Sequence, residues 1–282
     1  MNSIRSKIIA LSSISILFVT LVMILLILNK NSDTQQEITH KSSDILEKNV
    51  LQQILTTGKL QASEIASRLL AADKVSTSIS GSVLSYRNNH QDEEQGRVNV
   101  IALLKTQLEK QSDLLGVYVA FEEDAFDGRD SRYIDDGLTS SDGRGRFVPY
   151  AYRAGNNIQH EPLVGFEDQS RDDNGVRAGE YYLCPKENKI NCLTDPYLYP
   201  VDGKDVLLAS FVSPILKNGR FLGIAGVDMS LAFIQDLVEH NNAGVYGGIG
   251  KMAIISPKGI IAAYSGDNSV LGNKLTILNG IS

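Results

Sequence analysis

Residues 8–28 carry no charged side chain and are mostly Ile, Leu, Val and Met. As a helix at ~1.5 Å per residue the run is roughly 31 Å long, the thickness of one hydrocarbon layer. Ser12, Ser13, Ser15 and Thr20 are tolerable there because a hydroxyl can bond back to the helix backbone. Arg5 and Lys7 precede the run, so the amino end stays inside and the rest of the chain is exported. A cleaved signal peptide has an apolar core of ~7–15 residues and a small-x-small cleavage site. Residues 29–33 (NKNSD) offer no such site, so residues 1–30 read as a cytoplasmic tail with a retained anchor. Everything after them folds outside.

The 282 residues are 43% hydrophobic, enough for one large or two modest cores. A net charge of −6 with no basic stripe argues against a nucleic-acid partner. Trp is absent and Tyr (11) outnumbers Phe (8), which suits pockets that are half apolar and half wet. Cys184 and Cys192 bracket a short polar segment with no His nearby, so they make a poor metal site. Outside the cytoplasm the natural reading is a disulfide closing the end of a hairpin.

Residues 31–85 read as one long helix leaving the membrane, with Ile38, Ile45, Ile54, Ile65 and Leu69 among the members of a single apolar stripe. The stripe suits packing on its own domain or a coiled coil with a second copy, and its irregular repeat does not require the second. A polar gap at 87–96 precedes a second helix at 98–112, and 114–121 (LLGVYVAF) reads as a buried strand. Residues 122–145 form an acidic, Gly-rich stretch whose Asp spacing does not fit an EF-hand loop, so it reads as a solvated connection. A strand at 146–153 and a short extended segment at 159–166 follow, then a polar loop at 168–179 of the kind that covers a pocket.

The segment from Tyr181 to Leu231 is the centre of the pattern. It holds three strands, 194–199, 206–215 and 221–228, separated by turns at 202–204 (DGK) and 217–220 (KNGR). Asx next to Gly supplies the left-handed backbone that tight antiparallel turns need. A closing helix spans 231–239, and 241–250 is a Gly-rich linker. Strands at 251–256 and 260–264 then begin a second unit that Ser282 cuts short, as expected of a fragment or a truncated product.

Catalytic signatures are missing: no phosphate-binding loop, no His-Glu-x-x-His and no Gly-x-Ser-x-Gly. No cofactor is expected, and the chain does not read as an enzyme. What stands out is an aromatic and acidic set. Tyr150 and Tyr152 share one strand face, as do Tyr197 and Tyr199, while Tyr181 and Tyr182 on a strand would point to opposite faces, so at most one joins. Tyr182 completes the candidate set. Asp228 ends the apolar run Gly223-Ile224-Ala225-Gly226-Val227, and a carboxylate there needs a partner. Ring faces attract a cation at ~0.5–2 kcal/mol each, so phenols around Asp228 suit an ammonium group. The plainer readings are tyrosines covering strand edges and an Asp that caps the next helix.

The long helix leaving an anchor, with GVYVAFEEDAFDGRD, GRFVPYAYR, DPYLYP and GRFLGIAGVDMSL, resembles the double Cache sensor domains of bacterial methyl-accepting chemotaxis receptors. The resemblance covers about residues 31–282 and is strongest at 117–231. It implies an α/β (α+β) fold: a long N-terminal helix, a membrane-distal PAS-like Cache module that binds ligand (86–240), and an incomplete membrane-proximal one (241–282). It also implies a homodimer in the inner membrane that senses a small molecule in the periplasm. Its cytoplasmic part, absent from this sequence, would signal to a histidine kinase through a coupling protein.

Amino-acid-binding members carry Arg-x-Trp-Tyr, then Tyr-x-Asp, then an Asp before the closing helix. Arg146 matches the Arg that holds the ligand carboxylate, but residues 147–150 (FVPY) do not reproduce the Trp-Tyr pair. Tyr197 matches the Tyr, Tyr199 stands where the second Asp would be, and Asp228 matches the Asp that takes the ligand amine. The expected ligand is an amine, quaternary amine or amino-acid-like molecule, with a heterocycle such as a purine left open. Histidine kinase or cyclase output, or an anchored module without signalling, are the alternatives.

Overall fold

The computed structural model describes residues 4–89, 95–201, 204–244 and 249–280. The chain divides into two compact units, Met1–Leu60 and Gln61–Ser282. The first is built from helix α1 (Ile4–Asn89), which continues into the second. Side chains 16–28 are exposed apart from hydroxyl back-bonding by Thr20 to Ile16 and Leu17, and this part of α1 is long and apolar enough to cross a membrane. Farther along, Ile38, Ile45, Ile54 and Leu55 of the apolar stripe are also exposed. Ile65 is buried and Leu69 half-buried while Leu70 is exposed, and farther along Ala72, Ile79 and Val83 face a core.

That core belongs to the second unit, an antiparallel sheet of seven strands in the order β3-β2-β1-β7-β6-β4, with β5 also on β6. The strands are β1 (Leu114–Phe121), β2 (Pro149–Ala154), β3 (Asn157–Pro162), β4 (Cys192–Leu193), β5 (Tyr197–Val201), β6 (Lys204–Lys217) and β7 (Arg220–Ser230). The β6–β7 hairpin turns at Asn218 (φ 53°) and Gly219 (φ 76°), the two left-handed positions of a tight turn. The other expected turn, at 202–203, lies outside the described residues.

Strand alternation divides the sheet into two faces. On one, Val117, Val119, Phe211, Ala225 and Val227 pack under α1 and helix α2 (Gly96–Glu109), which contributes Val100, Ile101, Leu104 and Leu108. Hydroxyls fasten α1 to β6. Ser76 Oγ lies 2.8 Å from Ser213 Oγ, and Ser80 Oγ donates to the Pro214 carbonyl at 3.0 Å. On the other face, Tyr118, Tyr150, Val212 and Ile224 meet helix α3 (Glu180–Asn188) and the segment holding Leu163 and Phe166. Helix α4 (Ala232–Gly244) lays Ile234 and Val238 on Ile65, Ala209 and Ala263, the last from a hairpin of β8 (Ala253–Ile255) and β9 (Ile261–Tyr264).

Four expectations are corrected. The chain at Tyr181 is helical, not extended. Burial of Tyr181, Tyr182 and Leu183 against the sheet outweighs the helix-breaking Pro185, and Lys189 closes the helix in a left-handed conformation (φ 57°). The bonded pair Cys184–Cys192 therefore joins α3 to the edge strand β4 and does not close a hairpin end. Helix α1 runs through the start of the polar gap to Asn89, because Arg87 is buried and donates to the Ala125 carbonyl at 2.6 Å. Within residues 122–145, Asp130, Thr139, Ser140 and Ser141 are buried, so the stretch is not simply solvated. Arg97 organises it: its guanidinium bonds Asp127 (2.8 Å), Asp130 (2.7 Å), Ser141 Oγ (2.9 Å) and the Gly145 carbonyl (2.7 Å), and lies over the Tyr133 ring.

Candidate functional site

Strand β7 is buried from Leu222 to Met229, and within that run Asp228 is only 4% exposed. Its cross-strand neighbours are Gly116 on β1 and Ser210 on β6. Ser210 Oγ donates to Asp228 Oδ1 at 2.6 Å. A serine has one hydroxyl proton, so the Tyr197 hydroxyl, 2.8 Å from Ser210 Oγ, must donate in its turn. Thr194 holds Ser210 from the edge: its Oγ1 accepts from Ser210 N at 2.8 Å, and its own N–H donates to the Ser210 carbonyl at 3.0 Å. Among the described residues no Lys, Arg or His forms an ion pair with Asp228. Burial pushes its carboxyl up to about 6, against the lowering effect of Ser210 and Tyr150. A buried carboxylate without a cation is the unusual fact of this sheet.

Six tyrosine rings form a cluster beside it. Tyr118 and Tyr150 are cross-strand partners on the same face and meet edge to face with centroids 6.0 Å apart. Tyr150 stacks on Tyr152 at 5.4 Å and meets the edge of Tyr199 at 6.3 Å, while Tyr197 and Tyr199 meet at 6.2 Å. Tyr181, from α3, meets Tyr118 at 5.9 Å. Two glycines make room. A Cβ on Gly226 would fall within the Tyr118 ring, and one on Gly116 within the Tyr150 ring. Burial first, then the charge of Asp228, pushes the Tyr199 phenol up to about 12, and the same two causes hold Tyr118, Tyr150 and Tyr197 above their ordinary range.

Beside this cluster lies a cavity of about 610 Å³. Tyr181, Thr194, Tyr197 and Tyr199 form one wall; residues 170–178 with Gly272 and Asn273 form the other. Asp228 is not on the wall but one layer behind Tyr197. The Tyr181 hydroxyl donates to the Val164 carbonyl at 2.7 Å, and Asn174 Nδ2 donates to the Gly272 carbonyl at 3.0 Å, tying the covering loop to both sides.

A sequence profile described as the first PDC sensor domain of methyl-accepting chemotaxis protein-like chains matches residues 100–236. The extracellular domain of the candidate histidine kinase mmHK1S-Z3 is 32% identical, with 75% of this chain and 69% of that one superposed at a TM-score of 0.61. The chain belongs to the PDC, or double Cache, sensor-domain family. Methyl-accepting chemotaxis protein TlpQ of Pseudomonas aeruginosa is 29% identical over 280 residues, 97% of this chain and 39% of that protein. This Cache chain thus spans well under half the length of that curated relative. The periplasmic sensory domain of the Campylobacter jejuni chemoreceptor Tlp1, at 13% identity and a TM-score of 0.60 over 78% of this chain and 73% of that one, shares the fold.

In this Cache sheet, Tyr150, Tyr152, Tyr197, Tyr199 and Asp228 come together: the two-residue spacing keeps each Tyr pair on one side of its strand, and strand pairing brings the pairs to Asp228. Arg146 and Tyr182 do not reach them. Arg146 is held by Asp142 at 2.8 Å and Glu167 at 3.0 Å over the Phe166 ring. Tyr182, one helical step past Tyr181, donates to Glu122 at 2.6 Å between Phe166 and Phe221. The site also holds Tyr118, Thr194 and Ser210, which the sequence reading does not single out, and Tyr181, the member of the 181/182 pair left out of the candidate set. The signal for Tyr118 is a lone hydroxyl inside an apolar strand, whereas Ser210 shares β6 with Ser213 and is not marked out by sequence. Which strands pair is what brings both beside Asp228.

Proposed function

We propose that this chain is the sensing part of a transmembrane chemoreceptor, binding a small amine, quaternary amine or amino-acid-like molecule in the periplasm. The observation that supports it is Asp228: a buried carboxylate with no cationic partner among the described residues, ringed by phenols beside a cavity. A positively charged ligand supplies the missing counter-charge, and the ring faces of Tyr181, Tyr197 and Tyr199 attract it from the cavity side. On this reading residues 86–240 are the ligand-binding module, 241–282 begin a second one, and the receptor is a homodimer in the inner membrane.

Transmission has a physical route in this reading. Ser210 and Ser213 lie on opposite faces of β6, the first bonded to Asp228 and the second to Ser76 of α1. A ligand that draws on Asp228 biases the position of β6 and so of the helix that also carries the apolar run. Wild type and Asp228→Asn, as full chains in detergent, are compared by thermal shift against amines, amino acids and purines. A cationic ligand should raise the wild-type melting temperature and leave the variant unmoved. An equal shift in both rules out Asp228 as the ligand's partner. The likeness to mmHK1S-Z3 favours, as a second reading, the same sensor feeding a histidine kinase directly.

A further inference from the structure

The chain after α4 meets the cavity from two sides. Ser256 and Lys258, in the turn between β8 and β9, hold the carboxylate of Asp195: Ser256 Oγ donates to Oδ1 at 2.7 Å and Lys258 Nζ lies 2.9 Å from Oδ2. Asp195 is buried, and its neighbour Thr194 is the wall residue that pins Ser210 through backbone and side chain alike. On the opposite wall stand Gly272 and Asn273, where the Gly272 carbonyl accepts from Asn174 of the covering loop. Gly272 is left-handed (φ 78°), and a Cβ there would come within 3.2 Å of Leu207 on β6. Turn and wall are one piece. Ile261 donates to the Asn273 carbonyl at 2.8 Å and accepts from Gly272 N at 2.9 Å, and Leu275 N donates to the Gly259 carbonyl at 2.8 Å.

We propose that residues 256–273 hold the two walls of the cavity together, with Asp195 as the positioning residue through which they grip the sheet side and Asn174 as their hold on the covering loop. The Lys258 side chain is 61% exposed, so its charge alone contributes little. The Asp195 carboxylate is buried, however, and loss of both donors strands it, so the two bonds together fix the position of Thr194. A molecule filling the cavity lies against Gly272 and Asn273 as well as against the tyrosines. Any change in the spacing of the walls is therefore felt by residues 256–273 without passing through α1. No ligand enters the test below, so failure of the amine reading would leave this proposal standing.

The full chain in detergent is followed by rapid amide hydrogen exchange. Ser256→Ala with Lys258→Met removes both donors to Asp195. This turn variant should speed exchange at Asp172, Gly175 and Ala178, whose N–H groups are bonded within the covering loop, by about threefold or more, while β6 and β7 stay within about twofold of wild type. A contact that merely steadied the β8–β9 hairpin would speed residues 253–264 and stop there. Asn174→Ala should speed the same three loop amides. Adding the turn changes to it should move them by no more than about 1.5-fold further, because the link to Gly272 is already cut. Should β6 and β7 lose protection in the turn variant, Lys258→Met alone makes the test, with the loop sped by about 1.5-fold or more. A loop unmoved by either turn change overturns the proposal, and so do turn and Asn174 effects that multiply.

Discussion

Ser210 sits directly across the sheet from Asp228 and donates to it at 2.6 Å, while the next residue of that β6 face towards the turn, Val212, is fully buried. One hydroxyl thus spends its only proton on a carboxylate and receives another from Tyr197. The chain of bonds runs from the cavity wall to the buried charge. It gives the sheet a defined response to anything that changes that charge.

The charge is proton-linked. Burial raises the Asp228 carboxyl to about 6 in the folded chain, above its ordinary ~3.9 in an unfolded one, so folding takes up a proton between those values. Stability without ligand should fall as pH rises from about 4 to 6 and stay level above. Asp228→Asn removes that penalty and should stabilise the ligand-free chain at pH 7.5 by up to about 3 kcal/mol, with the gain fading towards pH 4. Thermal unfolding from pH 4 to 8 measures this, and a pH-independent difference would contradict it.

Cation binding should follow the same proton. Below about pH 6 a cationic ligand must displace a proton from Asp228, so its affinity should fall by about tenfold per unit. Calorimetry of the best-binding amine at pH 5 and pH 7.5 gives the ratio.

Gly226→Ala places a methyl group inside the space of the Tyr118 ring. The ring or β7 must move, at a cost of about 1–3 kcal/mol, and the ring is displaced from beside Asp228. Gly58→Ala, in α1 with nothing within 4 Å, should instead be neutral or stabilise by up to about 1 kcal/mol. Urea midpoints of the two variants should move in opposite directions or differ by at least the cost of the clash.

Reduction of Cys184–Cys192 frees α3 from β4. A short closed loop of this kind contributes about 2–3 kcal/mol on the chain-entropy estimate. Dithiothreitol, or the double Ser variant, should lower the melting temperature by roughly 5–10 °C and loosen the cavity wall that Tyr181 supplies.

Arg97→Met leaves Asp127 and Asp130 buried without their guanidinium. The loss should be about 3–5 kcal/mol, larger than any other single change above, because a buried charge is stranded. Asp127→Asn together with Arg97→Met should recover part of it, which a double-mutant cycle resolves.

Much of the fold is legible in local pattern. β1 spans Leu114–Phe121, as its apolar β-branched run implies, and Asn218-Gly219 makes the turn its chemistry requires. The uncharged run before residue 29 lies in α1, and Ala232–Gly244 is helical a few residues beyond the expected end. These features depend on neighbours in sequence. α3 was hidden for the opposite reason: its residues, with Pro185 among them, become helical by burying Tyr181, Tyr182 and Leu183 against strands far away in the chain.

The candidate site divides the same way. That Tyr150 with Tyr152 and Tyr197 with Tyr199 share faces, and that Asp228 ends a buried strand, follows from a two-residue repeat readable in any window. That Ser210 and Gly116 flank Asp228, that Tyr118 comes to rest over Gly226, and that Arg146 turns away to Asp142 and Glu167 follows from strand pairing and packing. Register joins residues separated by tens to more than a hundred positions, and no local periodicity encodes which of them will meet.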